Sequence, residues 1–101
     1  MKKIYLVVLD WSTDDCSDVD IEAFDTYEKA LNRFKEWIQD EKESIDWIHS
    51  AFDENGEILS GYEFDEHWGS EDGEYPCWWN ITDANDWYNH DFLGLRIVEV
   101  K

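Results

Sequence analysis

The sequence predicts an α+β domain: a mainly antiparallel sheet of four to six strands, one long helix packed on one face, and a short second helix. Three observations predict it. Short apolar or alternating runs of strand length recur along the chain, separated by turn residues. One stretch instead repeats at helical spacing, with Tyr27, Ala30, Leu31, Phe34, Trp37 and Ile38 forming a single apolar stripe. The 101 residues include seven Trp, five Tyr and five Phe, enough for one modest core and a single domain over 1–101.

The elements follow in order. Lys2 to Trp11 is rich in Val, Ile and Leu, the pattern of a central strand buried on both faces. Ser12 to Ser17 is polar and turn-like. Asp18 to Ala23 alternates acidic and apolar residues, so it reads as a strand with one wet face, paired with the first in a hairpin. Asp25 and Thr26 are candidate N-caps, and Glu28 stands three residues after Asp25, as in a capping box. The helix is expected over Thr26–Lys42. Asn55-Gly56 predicts a type I′ hairpin between strands at Asp46–Asp53 and Glu57–Phe64, because both central residues tolerate positive φ. In that register Trp47 stands opposite Phe64 and His49 opposite Tyr62. A helix through Ile45, Ile48 and Phe52 also fits the spacing, but the turn signal favours the hairpin. Asp65–Pro76 reads as a loop and Cys77–Ile81 as a short aromatic strand. Asp83 is expected to cap a short helix to His90, with Ala84, Trp87 and Tyr88 facing inward. Leu93–Val100 reads as the last strand. Trp78 and Trp79 are adjacent on a strand and should point to opposite faces.

Charge is the chain's most informative property. It holds 26 acidic residues against 8 basic ones, a formal charge of −18. From Glu43 to Leu95 there is no Lys or Arg, but there are fourteen acids. Four of the eight bases, Lys29, Arg33, Lys35 and Lys42, fall on the predicted helix. Such a field repels nucleic acid and anionic membranes and attracts basic protein surfaces. The aromatics argue against disorder, which goes with few aromatic residues. The carboxylates are therefore expected to be held in a fixed shape.

Met1-Lys2-Lys3 is followed by only six apolar residues before Asp10, unlike a secretory leader. No apolar run approaches the ~20 residues of a membrane span. A cytoplasmic protein is expected. Cys16 and Cys77 match no metal or redox spacing and read as two reduced thiols, with a disulfide or metal role as the alternative.

No arrangement points to catalysis. His49, His67 and His90 fall on different elements. Asp65-Glu66-His67 offers hard ligands, but such a cluster is common by chance in so acidic a chain. Asp10, Ser12 and Asp14 match the first ligand positions of a calcium loop, yet Asp15 stands where its glycine belongs and Ile21 where its bidentate Glu belongs. There is no phosphate loop. The expectation is no enzyme, no cofactor and no metal site.

What remains is a binding role. Asp18, Asp20 and Glu22 alternate on one strand and should line one face about 6–7 Å apart. With Asp14 and Asp15 they make a first candidate cluster. Glu54 and Glu57 at the expected hairpin tip make a second. Asp65, Glu66, Glu71, Asp72 and Glu74 make a third, with Trp68 as an aromatic anchor among them. In length, charge and lack of catalytic signatures the chain resembles the small acidic inhibitors of phages and mobile elements, of anti-CRISPR and antirestriction type. The resemblance implies an inhibitor that mimics nucleic acid and occupies the basic groove of a nucleic-acid-handling enzyme. The chain is also similar to acidic immunity proteins that neutralise nuclease toxins. A structural domain whose charge serves solubility is the third reading; it predicts carboxylates spread evenly over the surface.

Overall fold

The computed structural model describes residues 2–69 and 75–100. Five strands form one sheet: β1 (Lys2–Ser12), β2 (Ser17–Phe24), β3 (Tyr62–Trp68), β4 (Cys77–Asp83) and β5 (His90–Val100). Two helices, α1 (Tyr27–Ser44) and α2 (Asp46–His49), lie between β2 and β3 in the chain. The sheet order is β2-β1-β5-β4-β3, and every neighbouring pair is antiparallel. The last strand thus fills the centre beside the first, while β2 and β3 are edges.

The expected architecture of one long helix on a sheet, with a short helix after the strand at Cys77–Ile81, is corrected in three places. The second helix follows the first directly instead of occupying Asp83–His90. The expected strand at Asp46–Asp53 is helical and turn structure, with Ile48 and Ala51 fully buried. The segment 65–68, expected in a loop, is the second half of β3.

Each correction has a local cause. Ile45, Ile48 and Ala51 recur at three-residue spacing, and packing this face into the core outweighs the hairpin signal at Asn55-Gly56. Only a vestige of that hairpin survives, a single bridge between Phe52 and Ile58. Its turn is not type I′, since Gly56 has φ +79° and no non-glycine residue has positive φ among the described residues. The Asp53 carboxylate takes over, accepting hydrogen bonds from the backbone N–H of Asn55 (2.8 Å) and Glu57 (3.0 Å). At Asp83 the carboxylate accepts from the backbone N–H of Asn85 and Asp86, which builds a turn rather than a helix. β3 extends to Trp68 because Tyr62, Phe64 and Trp68 share one face and pair against β4.

The core lies between that face and the helices. Val7 and Leu9 from β1, Leu93 and Leu95 from β5, and Trp79 and Ile81 from β4 meet Ala30, Phe34, Trp37 and Ile38 of α1. Thr26 caps α1, its hydroxyl accepting from the Lys29 N–H at 3.2 Å. Phe52, Phe64 and Trp79 interlock through edge and stacked ring contacts.

Among the described residues the opposite face of the sheet carries no helix. Trp78 lies on it, its indole N–H donating to Asp65 at 2.9 Å and its ring stacked on His67 at 4.5 Å. Gly94 matters there, because a Cβ would come within 2.8 Å of the Phe92 ring. On the edge strand β2, Val19 and Ile21 face the same side and are exposed.

Candidate functional site

The three acidic clusters read from the sequence occupy three different places. Asp18, Asp20 and Glu22 do share one side of β2, the side of Leu9 and Val7, to which they are paired or adjacent in register. α1 partly neutralises them. The Arg33 guanidinium donates to Glu22 at 2.6 Å and to Glu36 at 2.8 Å, and lies 3.7 Å from Asp40. Burial opposes the Arg33 charge, but these carboxylates raise its pKa above the ordinary value. Glu54 and Glu57 flank the turn after α2. Asp65 and Glu66 point to opposite faces of β3, and Asp65 is held by Trp78. Glu71, Asp72 and Glu74 lie outside the described residues. Trp68, expected in a loop, ends β3 and is 47% exposed, with its ring packed edge-on against Phe34 at 5.2 Å.

Alternating acids on both edge strands have a physical consequence. Exposed strand edges are templates for pairing with another chain, and charge is one device that blunts them. Asp18, Asp20 and Glu22 on β2, and Glu63, Asp65 and Glu66 on β3, place like charges along both edges.

A further acidic site joins residues distant in sequence. The β1–β2 turn, closed by Thr13 N–H to Cys16 O at 2.8 Å, stands beside the β4–β5 turn. The Ser12 hydroxyl donates to the Tyr88 carbonyl at 2.6 Å and ties the two together. Asp14 comes from one turn and Asp83 and Asp86 from the other. Burial, followed by the Asp86 carboxylate and then by Asp14 and Asp83, pushes the Tyr88 phenol above its usual pKa. No Lys or Arg occurs in residues 12–18 or 83–91. Trp87, expected to face inward, projects from the same turn and is 78% exposed, its ring edge-on to Tyr88. The helical spacing of Ala84, Trp87 and Tyr88 concealed it. The signal that could have found it is Asp83-Ala84-Asn85-Asp86, whose short polar side chains favour turns over helix interiors.

The third feature is a pocket of about 240 Å³ between the β1–β2 hairpin and the helices. Trp11, Trp37 and Trp47 line it, together with Asp20, Glu41 and Asp91. Asp91 is 3% exposed; its carboxyl meets the Glu41 side chain, while its Oδ2 is buried without a hydrogen bond of good geometry. Burial, and then the facing Glu41 carboxylate, push the Asp91 carboxyl up to about 9. Burial also raises Glu41. At neutral pH Asp91 is therefore a neutral acid.

Among the described residues no three His, Cys, Asp or Glu side chains are placed to hold a metal ion. Cys16 is exposed, Cys77 is buried, and both are free thiols. No described helix is long and apolar enough to cross a membrane. Comparison of the chain with protein-family models, curated proteins and solved structures finds no match. The fold and its surface therefore carry the functional argument: an antiparallel α+β domain with an acidic, aromatic end and an acid-floored pocket.

Proposed function

We propose that this chain is an acidic inhibitory binding protein that occupies the basic nucleic-acid-binding surface of a nuclease or another nucleic-acid-handling enzyme in the cytoplasm. One observation carries the reading. Asp14, Asp83 and Asp86 gather around Tyr88, on turns without a base, beside the exposed Trp87. Fixed carboxylates around an exposed aromatic match what a basic cleft recognises: charge for steering and a ring for burial. A charge that served solubility alone would be spread evenly. Here the ion pairs centre on α1, at Arg33 and Lys29, and the turn end is left negative.

The test is competition. The chain is titrated into candidate nucleases loaded with labelled duplex, at low and at high salt. Displacement of the duplex is expected, weakening as salt screens the charges. Trp87→Ala and the combined Asp14→Asn, Asp83→Asn and Asp86→Asn variant should both bind more weakly. Binding that leaves the duplex in place, or that ignores salt, would overturn the mimicry.

A further inference from the structure

The pocket lined by Trp11, Trp37, Trp47, Asp20, Glu41 and Asp91 has a composition that points to a ligand. Three indoles and three carboxyls line it, and no Lys, Arg or His does. The nearby Arg33 is committed to Glu22, Glu36 and Asp40, and its guanidinium lies 4.6 Å over the Trp37 ring, which leaves Trp11 and Trp47 as the indoles without a resident cation among the described residues. Asp91 lines the pocket with a buried Oδ2 that has no hydrogen bond of good geometry, although the carboxyl also meets Glu41. An unpaired buried polar oxygen costs stability, and in native structures such a group calls for an explanation. At about 240 Å³ the pocket holds roughly eight water volumes of about 30 Å³ each. That is room enough for one long side chain.

We propose that this pocket receives one organic cation, an arginine or lysine side chain, which packs against Trp11 and Trp47 and pairs with Asp91. Indole faces attract guanidinium and ammonium groups, and desolvated sites strengthen that attraction. A carboxylate at the floor supplies the pairing charge, with bidentate geometry available to a guanidinium. The inference rests on the reading that the partner is basic, and it names the contact such a partner would make.

The proposal has a pH signature. Glu41 from α1 faces Asp91, Asp10 from β1 acts on it by charge from the other face of the sheet, and Asp40 from α1 and Asp20 from β2 act on Glu41. All are acidic, so without a ligand the Asp91 proton is retained. A cation that pairs with ionised Asp91 must displace that proton. Its apparent affinity should then rise about tenfold per pH unit between pH 6 and 8 and level off near the Asp91 titration point.

The experiment needs no partner protein, so its failure would leave the duplex-competition test standing. The whole chain is titrated with N-acetylarginine methylamide, N-acetyllysine methylamide and the neutral citrulline analogue, followed by indole N–H and carboxyl ¹³C NMR. The indoles of Trp11 and Trp47 should shift while that of Trp87 does not. The Asp91 titration midpoint should fall on addition of either cation, and the citrulline analogue should leave it unmoved. Asp91→Asn should abolish the pH dependence and weaken binding at least about tenfold at pH 8. Stronger binding of the arginine amide assigns a guanidinium, and stronger binding of the lysine amide an ammonium. Binding by neither, equal binding of the citrulline analogue, or shifts centred on Trp87 would overturn the proposal. If Asp91→Asn fails to fold, the Asp91 midpoint in the native chain decides, and an unmoved midpoint overturns it.

Discussion

Asp91→Asn should make the protein more stable at neutral pH, by an amount that depends on pH in a defined way. The carboxyl is buried beside Glu41, and its pKa is raised from 3.8 to about 9 in the folded chain. Between roughly pH 4 and pH 9 the folded state therefore holds a proton that the unfolded state has released. Stability falls as pH rises wherever the folded state binds more protons. The contribution of Asp91 is fully present below its unfolded pKa and is lost progressively toward the folded one, at about 1.4 kcal/mol per pH unit. From pH 5 to pH 7 that amounts to about 3 kcal/mol, a large share of the ~5–15 kcal/mol of a typical domain. Asparagine keeps the shape and the neutral state without the titration. Urea unfolding of both proteins at pH 5, 6, 7 and 8 isolates the Asp91–Glu41 pair, because the carboxylates away from it cancel in the difference. The gap should widen by about 3 kcal/mol between pH 5 and pH 7. A constant offset across that range would refute the argument and place Asp91 among ordinary ionised acids. A group so costly at neutral pH is poorly explained by stability alone, and perturbed carboxyls are found preferentially at binding sites.

Three further outcomes follow from the geometry. Phe34→Ala removes a fully buried ring that supports Trp68 and should cost about 3–5 kcal/mol, read as a lowered urea midpoint with an unchanged slope. Trp87→Ala should change stability by less than about 0.5 kcal/mol in the same assay, because its ring is exposed, and a larger loss would mean that the turn depends on it. Asp86→Asn should bring the Tyr88 phenol titration part of the way back to its ordinary range, followed by ultraviolet absorbance. An unmoved titration would leave burial, with Asp14 and Asp83, as the cause.

The sequence alone established what depends on neighbours within a few residues. The apolar stripe that buries Ala30, Phe34, Trp37 and Ile38 is visible in the spacing of those side chains. So is the alternation that sends Asp18, Asp20 and Glu22 to one side of β2 and Val19 and Ile21 to the other. The net charge and the base-free stretch are properties of composition. Where two local patterns compete, the chain by itself is ambiguous. Ile45, Ile48 and Ala51 against Asn55-Gly56 is one case, and Asp83 as helix cap or turn builder is another. Burial of Ile48 and Ala51 against the rest of the core decides the first. Tertiary structure alone determines which carboxylates meet. β5 pairs with β1 across most of the chain, and that pairing carries Asp91 under Glu41 and the Tyr88 turn against the Asp14 turn. Electrostatics acts through space, so the acids that shape each other's chemistry here are the ones the sheet order brings together.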